Sequence, residues 1–155
     1  MDESPAEWRR GKYSVSTDPA RLDVAGIAEF LATTYWASEA NEGLVRRSLK
    51  HSLNFGLYCE DKQIGLARVV TDSTMFAFIC DVYVLEAFRG LGLGTWLIES
   101  VLAHRDLQGL RRWMLATRDA HKFYAAMGFE PLARPEAWME FLPPELDPVG
   151  ALTVD

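Results

Sequence analysis

The sequence predicts a mixed α/β domain built on a single β-sheet. The chain has 155 residues, enough for one packed domain. Apolar residues alternate over some segments and recur at helical spacing over others, and the two kinds of segment are interleaved. The predicted order is one strand, two helices, three strands, a helix, a strand, a helix and two strands. This order gives about seven strands flanked by four helices.

The composition is that of a globular protein, with 49% hydrophobic and 25% charged residues. No segment approaches the ~20 apolar residues of a membrane span. The acidic start Met1–Pro5 lacks the apolar run of a secretory signal, so we expect a cytoplasmic protein. Residues 1–142 read as one domain. Residues 143–155 contain three prolines and read as a loosely held tail.

Charge and metal-binding residue types exclude several partners. The net charge is −6 and the sequence has no extended basic cluster, so we expect no nucleic acid partner. The acidic balance weakly favours a cationic substrate. Cys59 and Cys80 are too far apart for a zinc or redox motif and read as packing residues. The three histidines share no metal-ligand spacing, so we expect no metal.

The first half of the chain opens with a strand, Lys12–Ser16. Asp18 followed by Pro19 is a helix-start pattern. The apolar stripe of this first helix is formed by residues at helical spacing, namely Val24, Ile27, Ala28 and Leu31. A loop over 35–42 and a second helix over 43–52 follow.

Three strands are predicted in the middle of the chain. Phe55–Cys59 and Gln63–Val70 are joined by a polar turn, and a second turn over 71–73 leads into Met75–Leu85. That last strand is apolar on both faces near its middle, so we expect it to be central in the sheet. A third amphipathic helix after residue 94 is marked by Trp96, Leu97, Val101 and Leu102.

The predicted closing elements are a strand, a helix and two further strands. The strand is Arg112–Ala116, and Asp119 is placed to cap the fourth helix. That helix has an apolar stripe at i, i+3, i+4 and i+7 formed by Ala120, Phe123, Tyr124 and Met127, and Gly128 ends it. Phe129–Leu132 and Ala137–Phe141 are predicted as the closing strands.

The strongest chemical signal is the run Arg89-Gly90-Leu91-Gly92-Leu93-Gly94, which stands between a strand and a helix. Glycines lack Cβ, so backbone N–H groups can close on a ligand. A helix N-terminus adds unpaired donors and a partial positive charge. The pattern therefore predicts an anionic ligand, a phosphate or a pyrophosphate.

Two other phosphate motifs fit poorly. A dinucleotide fingerprint needs G-x-G-x-x-G, and here the third glycine comes one residue early. A P-loop ends in Gly-Lys-Ser/Thr, whereas this run continues Gly94-Thr95-Trp96. A further alternative is a turn whose glycines merely let the helix pack closely against the strand.

At this point the sequence resembles the GCN5-related N-acetyltransferase (GNAT) superfamily. The cofactor motif of that family, Arg/Gln-x-x-Gly-x-Gly/Ala, is matched by Arg89, Gly92 and Gly94. Glu86 stands where the family usually has a proline. A second family motif, ending Gly-Phe, matches the run 123–129, and Ile64–Arg68 is typical of the family's third strand. The resemblance covers roughly residues 56–141.

The resemblance implies a mixed, mostly antiparallel sheet and acetyl-CoA as co-substrate. Backbone groups of the strand before the glycine run would hold the pantetheine arm, and the run itself would hold the pyrophosphate. The family's pantetheine asparagine is replaced here by a threonine, which puts that contact in doubt. The implied cofactor-binding residues are Val82, Tyr83, Val84, Arg89, Gly90, Leu91, Gly92, Leu93, Gly94, Thr95 and Thr117.

Acetyl transfer to an amine needs a base, because an alkylamine with a pKa near ~10.4 is protonated at neutral pH. Asp81 is our candidate, since related polyamine acetyltransferases also carry acidic residues just before the cofactor-binding residues. The alternative is a structural hydrogen-bonding residue at a strand bulge. Asp72 and Glu86 are weaker candidates that also suit plain turn positions. Asp72 is kept as a substrate-binding candidate.

Tyr124 is the predicted general acid, because the matching family tyrosine directs its hydroxyl at the coenzyme sulfur. The alternative is a tyrosine buried for packing alone. Tyr35 and Trp36 lie in the loop that lines the acceptor pocket in this family, and they could make cation–π contacts with an ammonium group. Ordinary core packing is the alternative for these two rings.

Three functions remain open from the sequence. The first is acetylation of a small, cationic primary amine, and the second is acetylation of a protein lysine or N-terminus. The third is an acyl-CoA-binding module without turnover. Thr117 mildly supports this third function, whereas Tyr124 and Asp81 argue against it. The family commonly dimerises, so we also expect a homodimer.

Overall fold

The computed structural model describes residues 3–37 and 40–144. The strands in these residues are β1 (Glu7–Arg10), β2 (Tyr13–Ser16), β3 (Leu53–Cys59), β4 (Lys62–Thr71), β5 (Phe76–Val84) and β6 (Arg112–Leu115). The helices are α1 (Val24–Ala32), α2 (Glu42–Lys50), α3 (Leu93–Ala103) and α4 (His121–Ala125). The strands form one sheet in the order of the chain. Neighbours are antiparallel except β5 and β6, which are parallel.

The predicted fold class is confirmed, with one mixed, mostly antiparallel sheet and four helices among the described residues. Among the described residues there are six strands and not seven, because neither 129–132 nor 137–141 forms a strand and one strand that was not predicted, β1, is present. Pro131 and Pro135 have no N–H to donate to a ladder, and Pro135–Ala137 turns into a short 3-10 helix. Beyond that turn Met139 and Phe141 are 96% and 84% exposed.

The prediction missed the edge strand β1. Its four residues are mostly charged, so no alternating apolar pattern marks it. It forms by pairing with β2 through a two-residue turn at Gly11 and Lys12, in which Gly11 has a φ of 58°. Glycine at the first central position is what the tight hairpin turns require, so turn chemistry defines this strand.

Two predicted helix starts are corrected. Asp18 caps only a 3-10 turn at Pro19–Arg21, and α1 begins after Asp23, whose carboxylate accepts the N–H of Gly26 at 3.0 Å. Asp119 does not cap α4, because Ala120 precedes the helix and its N–H donates to the Thr117 hydroxyl at 3.0 Å.

The predicted end of α4 is confirmed at Gly128, which has a φ of 100°. The N–H of Gly128 donates to the carbonyl of Ala125, and the N–H of Phe129 donates to that of Tyr124. This pair of bonds is the usual glycine-terminated end of a helix. The chain is thereby turned back beside Tyr124 as it leaves α4.

The sheet carries an apolar core on each face. The larger core joins β2–β6 to α3 and α4, and the smaller core joins α1 and α2 to Leu66 and Tyr83. Strand β5 contributes to both and is paired on both sides, so its predicted central place is confirmed. Gly65 lets β4 pack this closely, because an added Cβ would stand 2.6 Å from the Tyr83 carbonyl oxygen.

Three further expectations concern the chain as a whole. None of the described helices is both long and apolar enough to cross a bilayer. Cys59 and Cys80 are free thiols, half-buried and buried. Of the tail predicted at 143–155, residues 145–155 lie outside the described part of the chain.

His104, directly after α3, is a buried titratable group beside the larger core. It is 2% exposed, its ring meets Phe55 edge-on at 5.5 Å, and its Nδ1 accepts the N–H of Asp106 at 3.1 Å. Burial lowers the pKa of His104 below its ordinary value of about 6.5. The folded chain therefore holds this imidazole neutral at a pH where the unfolded chain protonates it.

The pH dependence of unfolding follows from that difference. Stability from the neutral His104 is fully present above about pH 6.5 and is lost as the pH falls from there toward the lower folded pKa. We expect the Tm to drop between about pH 7.5 and about pH 5.5. His104→Asn keeps an acceptor for the Asp106 N–H and should flatten this slope. The exposed His121, changed to Asn, is the control, and an unchanged slope in His104→Asn would contradict the assignment.

Candidate active site

A cleft opens where β5 and β6 separate. The parallel pairing joins Phe76–Ile79 to the four residues of β6 and then stops, while β5 continues to Val84. The N–H of Leu85 donates to Ile64 on the β4 side, so the backbone groups of Val84 point the other way, into the cleft. Val82, two residues earlier, faces the same side. Val82 and Val84 therefore lie beside the cleft, and their role in holding a pantetheine arm stays a prediction.

Tyr83 differs from its two neighbours. Its register partner is Leu66 on β4, and its ring stacks on Phe30 of α1 at 3.9 Å. Burial raises the pKa of the Tyr83 phenol, which is 8% exposed. The side chain therefore belongs to the core on the α1–α2 face, and of the predicted trio the structure directs only Val82 and Val84 into the cleft.

The glycine loop (residues 89–94) lies at the mouth of the cleft and leads into α3. Gly90 and Gly92 have φ values of 78° and 77°, which favour glycine, and Gly92 stands at the N-cap of α3. No side chain of the described residues caps this helix. The first bond within the helix runs from Trp96 N to Gly92 O, so three N–H groups of the first turn, those of Leu93, Gly94 and Thr95, stay unpaired in the helix.

Gly94 keeps the cleft open. A Cβ at this position would stand 3.6 Å from the Phe123 ring and 3.9 Å from a Val84 methyl, in ordinary contact with both. The missing methyl therefore leaves a slot between α4 and the end of β5. The slot belongs to a cavity of about 250 Å³ lined by Val84, Phe88, Arg89, Gly90, Gly92, Leu93, Gly94, Thr95 and Phe123.

Of the other residues of the predicted cofactor set, Arg89 lines this cavity, whereas Leu91 and Thr117 are not among its lining residues. Arg89 donates from Nε to the Val84 carbonyl at 2.8 Å and so closes the end of β5. Leu91 is 60% exposed at the tip of the loop. The Thr117 hydroxyl accepts the N–H of Ala120, and its proton is still available to donate to a ligand.

Tyr124 lies on α4, one residue after Phe123 of the cavity wall. It is 3% exposed, and its ring meets Phe123 and Phe129 edge-on at 4.9 Å and 5.8 Å. This position fits both interpretations of Tyr124, the general acid and the tyrosine buried for packing, because a buried ring can present its hydroxyl to an adjacent cleft. Its role as general acid stays a prediction.

Asp81 lies at an irregularity of β5, where the β4–β5 register shifts. Its φ is 54°, and it is 8% exposed. Arg68 Nε donates to one carboxylate oxygen at 2.7 Å, and Trp36 Nε1 donates to the other at 3.3 Å. This is the bulge that the structural alternative for Asp81 requires. Its role as base stays a prediction.

The two predicted acceptor-pocket aromatics lie after α1 and contact each other. Tyr35 and Trp36 meet edge-on at 5.4 Å. The Arg118 guanidinium lies 3.9 Å from the centre of the Tyr35 ring. Tyr35 therefore does make a cation–π contact, with a cation of the protein itself. The contact joins the segment after α1 to the loop after β6.

Asp72 lies away from these residues, in the turn between β4 and β5. Its Oδ1 accepts the backbone N–H groups of Thr74, Met75 and Phe76 at 2.8–3.1 Å. These bonds, with that from Met75 the strongest, lower the pKa of Asp72. Nine residues of β5 separate this turn from the glycine loop, about 30 Å of extended chain. The structure does not bring Asp72 to the cleft.

Sequence reasoning missed Arg68 and Arg118. A usable signal for Arg68 was present, because it is the one charge in the middle of an apolar strand and Asp81 is the one charge in the next. Opposite charges in adjacent buried strands tend to pair. Arg118 carried no such signal. No group of three or more potential metal ligands occurs in the described parts of the chain.

Comparison with known proteins identifies the family. Residues 50–131 match the acetyltransferase (GNAT) domain. A Gibberella zeae protein, FG08082, named as a candidate acetyltransferase, is 35% identical over an alignment spanning 81% of this chain and 84% of its own.

Solved structures agree with that match. A candidate acetyltransferase of the GNAT family from Xanthomonas campestris pv. campestris is 44% identical with a TM-score of 0.83, covering 86% of this chain and 95% of its own. Rv2747 from Mycobacterium tuberculosis, solved with CoA and NLQ, is 25% identical with a TM-score of 0.60, covering 76% and 72%. The chain therefore belongs to the GCN5-related N-acetyltransferase (GNAT) superfamily.

Proposed function

We propose that the protein transfers the acetyl group of acetyl-CoA to the primary amine of a small, cationic acceptor. The observation that carries the proposal is the glycine loop at the uncapped start of α3, beside the free edge of β5. Unpaired N–H groups and a helix N-terminus suit a pyrophosphate. The outward backbone of Val82 and the N–H of Val84 suit the amides of a pantetheine arm. Both features fit coenzyme A.

The chemistry assigned to the chain's own residues is acid catalysis and positioning. The neutral amine attacks the thioester carbonyl carbon, a C–N bond forms and the C–S bond breaks. Tyr124 donates its phenolic proton to the departing thiolate, and the proton lost by the amine restores the phenol through solvent or a nearby base. Backbone N–H groups of β5 would meet the oxyanion that develops on the carbonyl.

The acceptor is the least constrained part of the proposal. Support for a cation comes from the net charge of −6 and from the pair of rings at Tyr35 and Trp36. Because Arg118 already covers the Tyr35 ring, an ammonium would pack against Trp36 or the opposite Tyr35 face.

Acetyl-CoA should stabilise the folded protein by about 2.7 kcal/mol at a hundredfold excess over its Kd. Gly92→Val should remove this stabilisation, because the side chain would displace the loop backbone from the ligand. Gly109→Val is the matched control, since Gly109 has nearly the same φ, 76°, and lies before β6 at the opposite end of β5. Both variants carry similar backbone strain. A lost thermal shift in both, or in neither, would contradict the assigned site.

A screen of amines with acetyl-CoA, read as release of free thiol, tests the acceptor class. The panel holds polyamines, amino acids, amino sugars and short peptides with a free lysine or N-terminus. We expect turnover with small cationic amines. Turnover restricted to peptides would replace the small-molecule proposal by a protein acceptor. Acetyl-CoA binding without turnover of any amine would favour a non-catalytic module.

Tyr124→Phe should lower kcat by ~10²-fold or more, the range of a lost general acid, while the acetyl-CoA thermal shift persists. The ring and its contacts with Phe123 and Phe129 are kept. Tyr58→Phe is the control, because Tyr58 is 1% exposed and its hydroxyl finds no hydrogen-bond partner in the described residues. A kcat within about threefold of the parent, with chemistry limiting the rate, would remove Tyr124 from the mechanism.

A further inference from the structure

Asp81 links separate parts of the chain around the cleft. One carboxylate oxygen accepts from Arg68 of β4, and the other accepts from Trp36 after α1. Arg68 also donates from Nη1 to the hydroxyl of Ser52, just beyond α2, at 3.1 Å. One buried carboxylate therefore ties β5 to β4 and to the segments that follow α1 and α2.

The backbone at Asp81 is held in a conformation that non-glycine residues seldom adopt. Its φ of 54° costs roughly 1 kcal/mol or more and persists only where the surroundings enforce it. The bulge turns this one carboxylate toward Arg68 and Trp36, while Val82 and Val84 beyond it keep their backbone groups in the cleft. The irregularity thus serves the contacts of the side chain.

The series of contacts continues from Trp36 to the loop after β6. Trp36 meets Tyr35 edge-on, and the Tyr35 ring lies under the Arg118 guanidinium. Arg118 belongs to the loop after β6, so the series Asp81–Trp36–Tyr35–Arg118 starts on β5 and ends beyond β6. These are the two strands whose separation forms the cleft. A change at Asp81 is therefore transmitted to the aromatic wall on which the acceptor would rest.

We propose that Asp81 is a positioning residue that fixes Trp36, and through it the acceptor-binding wall, and that it does not take the proton of the amine. This inference rests on the proposed function, because it assigns the wall to the acceptor. Both carboxylate oxygens of Asp81 accept hydrogen bonds from donors of the protein, Arg68 and Trp36. The bond to Trp36 fixes that ring, and the ring sets where the acceptor binds. Its loss is felt first in the KM of the acceptor.

Two single variants test the Trp36–Asp81 bond from opposite ends, and Asp81→Asn also weakens the ion pair with Arg68. Trp36→Phe keeps an aromatic ring and loses the N–H donor. Asp81→Asn keeps only one acceptor oxygen on the side chain. The charged Arg68 competes for that oxygen, which turns the NH₂ group toward the indole N–H of Trp36. We expect each variant to raise the acceptor KM several-fold to about tenfold, the factor of one hydrogen bond, with kcat within about twofold.

The double variant Asp81→Asn/Trp36→Phe should be no worse than Asp81→Asn alone, since Trp36→Phe removes only a bond that Asp81→Asn already breaks. The acceptor is the best-turned-over amine of the panel above. The pH profile of kcat should keep its shape in all three. Trp138→Phe, at an exposed tryptophan beyond the 3-10 turn at Pro135, is the matched control and should leave KM unchanged.

A catalytic base would behave differently. Asp81→Asn would then lower kcat by ~10²–10⁴-fold with partial recovery at higher pH, and Trp36→Phe would stay near the parent. That result overturns the inference. Additive effects of the two variants would overturn it as well, because they would show two separate interactions.

A second readout needs no acceptor. The chain has five tryptophans, so ¹⁵N spectra should contain five indole N–H signals, and the Trp36 signal is the one missing in Trp36→Phe. In Asp81→Asn this signal should shift and its hydrogen exchange should accelerate, while the acetyl-CoA thermal shift persists. An unchanged Trp36 signal contradicts the inference. If the panel yields no turnover, the proposed function fails, and this spectrum still tests whether Asp81 fixes Trp36.

Discussion

The early end of the pairing between β5 and β6 is the constraint on which the rest of the site depends. β6 reaches only Leu115, while β5 runs on to Val84 with one edge unpaired by β6. A sheet that stayed paired would bury the backbone groups of Val82 and Val84 in a ladder. Because the strands separate, these groups face a cleft that is also lined by Phe123 of α4. The glycine loop and α3 then follow directly at the end of β5.

The two halves of the site are built by different means. The half that we propose for the coenzyme uses backbone atoms, namely the first-turn N–H groups of α3 and the outward edge of β5, and its glycines let a ligand approach. The half that we propose for the acceptor uses side chains from distant segments, held by the ion pair of Arg68 with Asp81 and by the contact of Arg118 with Tyr35. Local geometry therefore determines the first half, and tertiary packing determines the second.

This difference explains how much of the molecule could be predicted. The glycine loop, the central strand β5 and the Gly128 end of α4 follow from local conformational rules, and all three were identified from the sequence. The bonds of Asp81 depend on a register shift opposite β4, which no pattern within one strand reveals. Two closing strands were wrongly predicted: Pro131 removes a ladder donor from the first, and Pro135 begins the 3-10 turn that takes up the start of the second. The mainly charged β1 was missed because its partner strand and its turn define it.

The uncapped first turn of α3 also affects how the protein must be handled. Backbone N–H groups that suit a diphosphate attract any small oxyanion, whatever its source. Sulfate or phosphate in a purification buffer would occupy the same donors and compete with the coenzyme. Apparent affinities measured in such buffers would be weakened in proportion to the anion concentration, so chloride salts with a buffer that carries no oxyanion give the more faithful value.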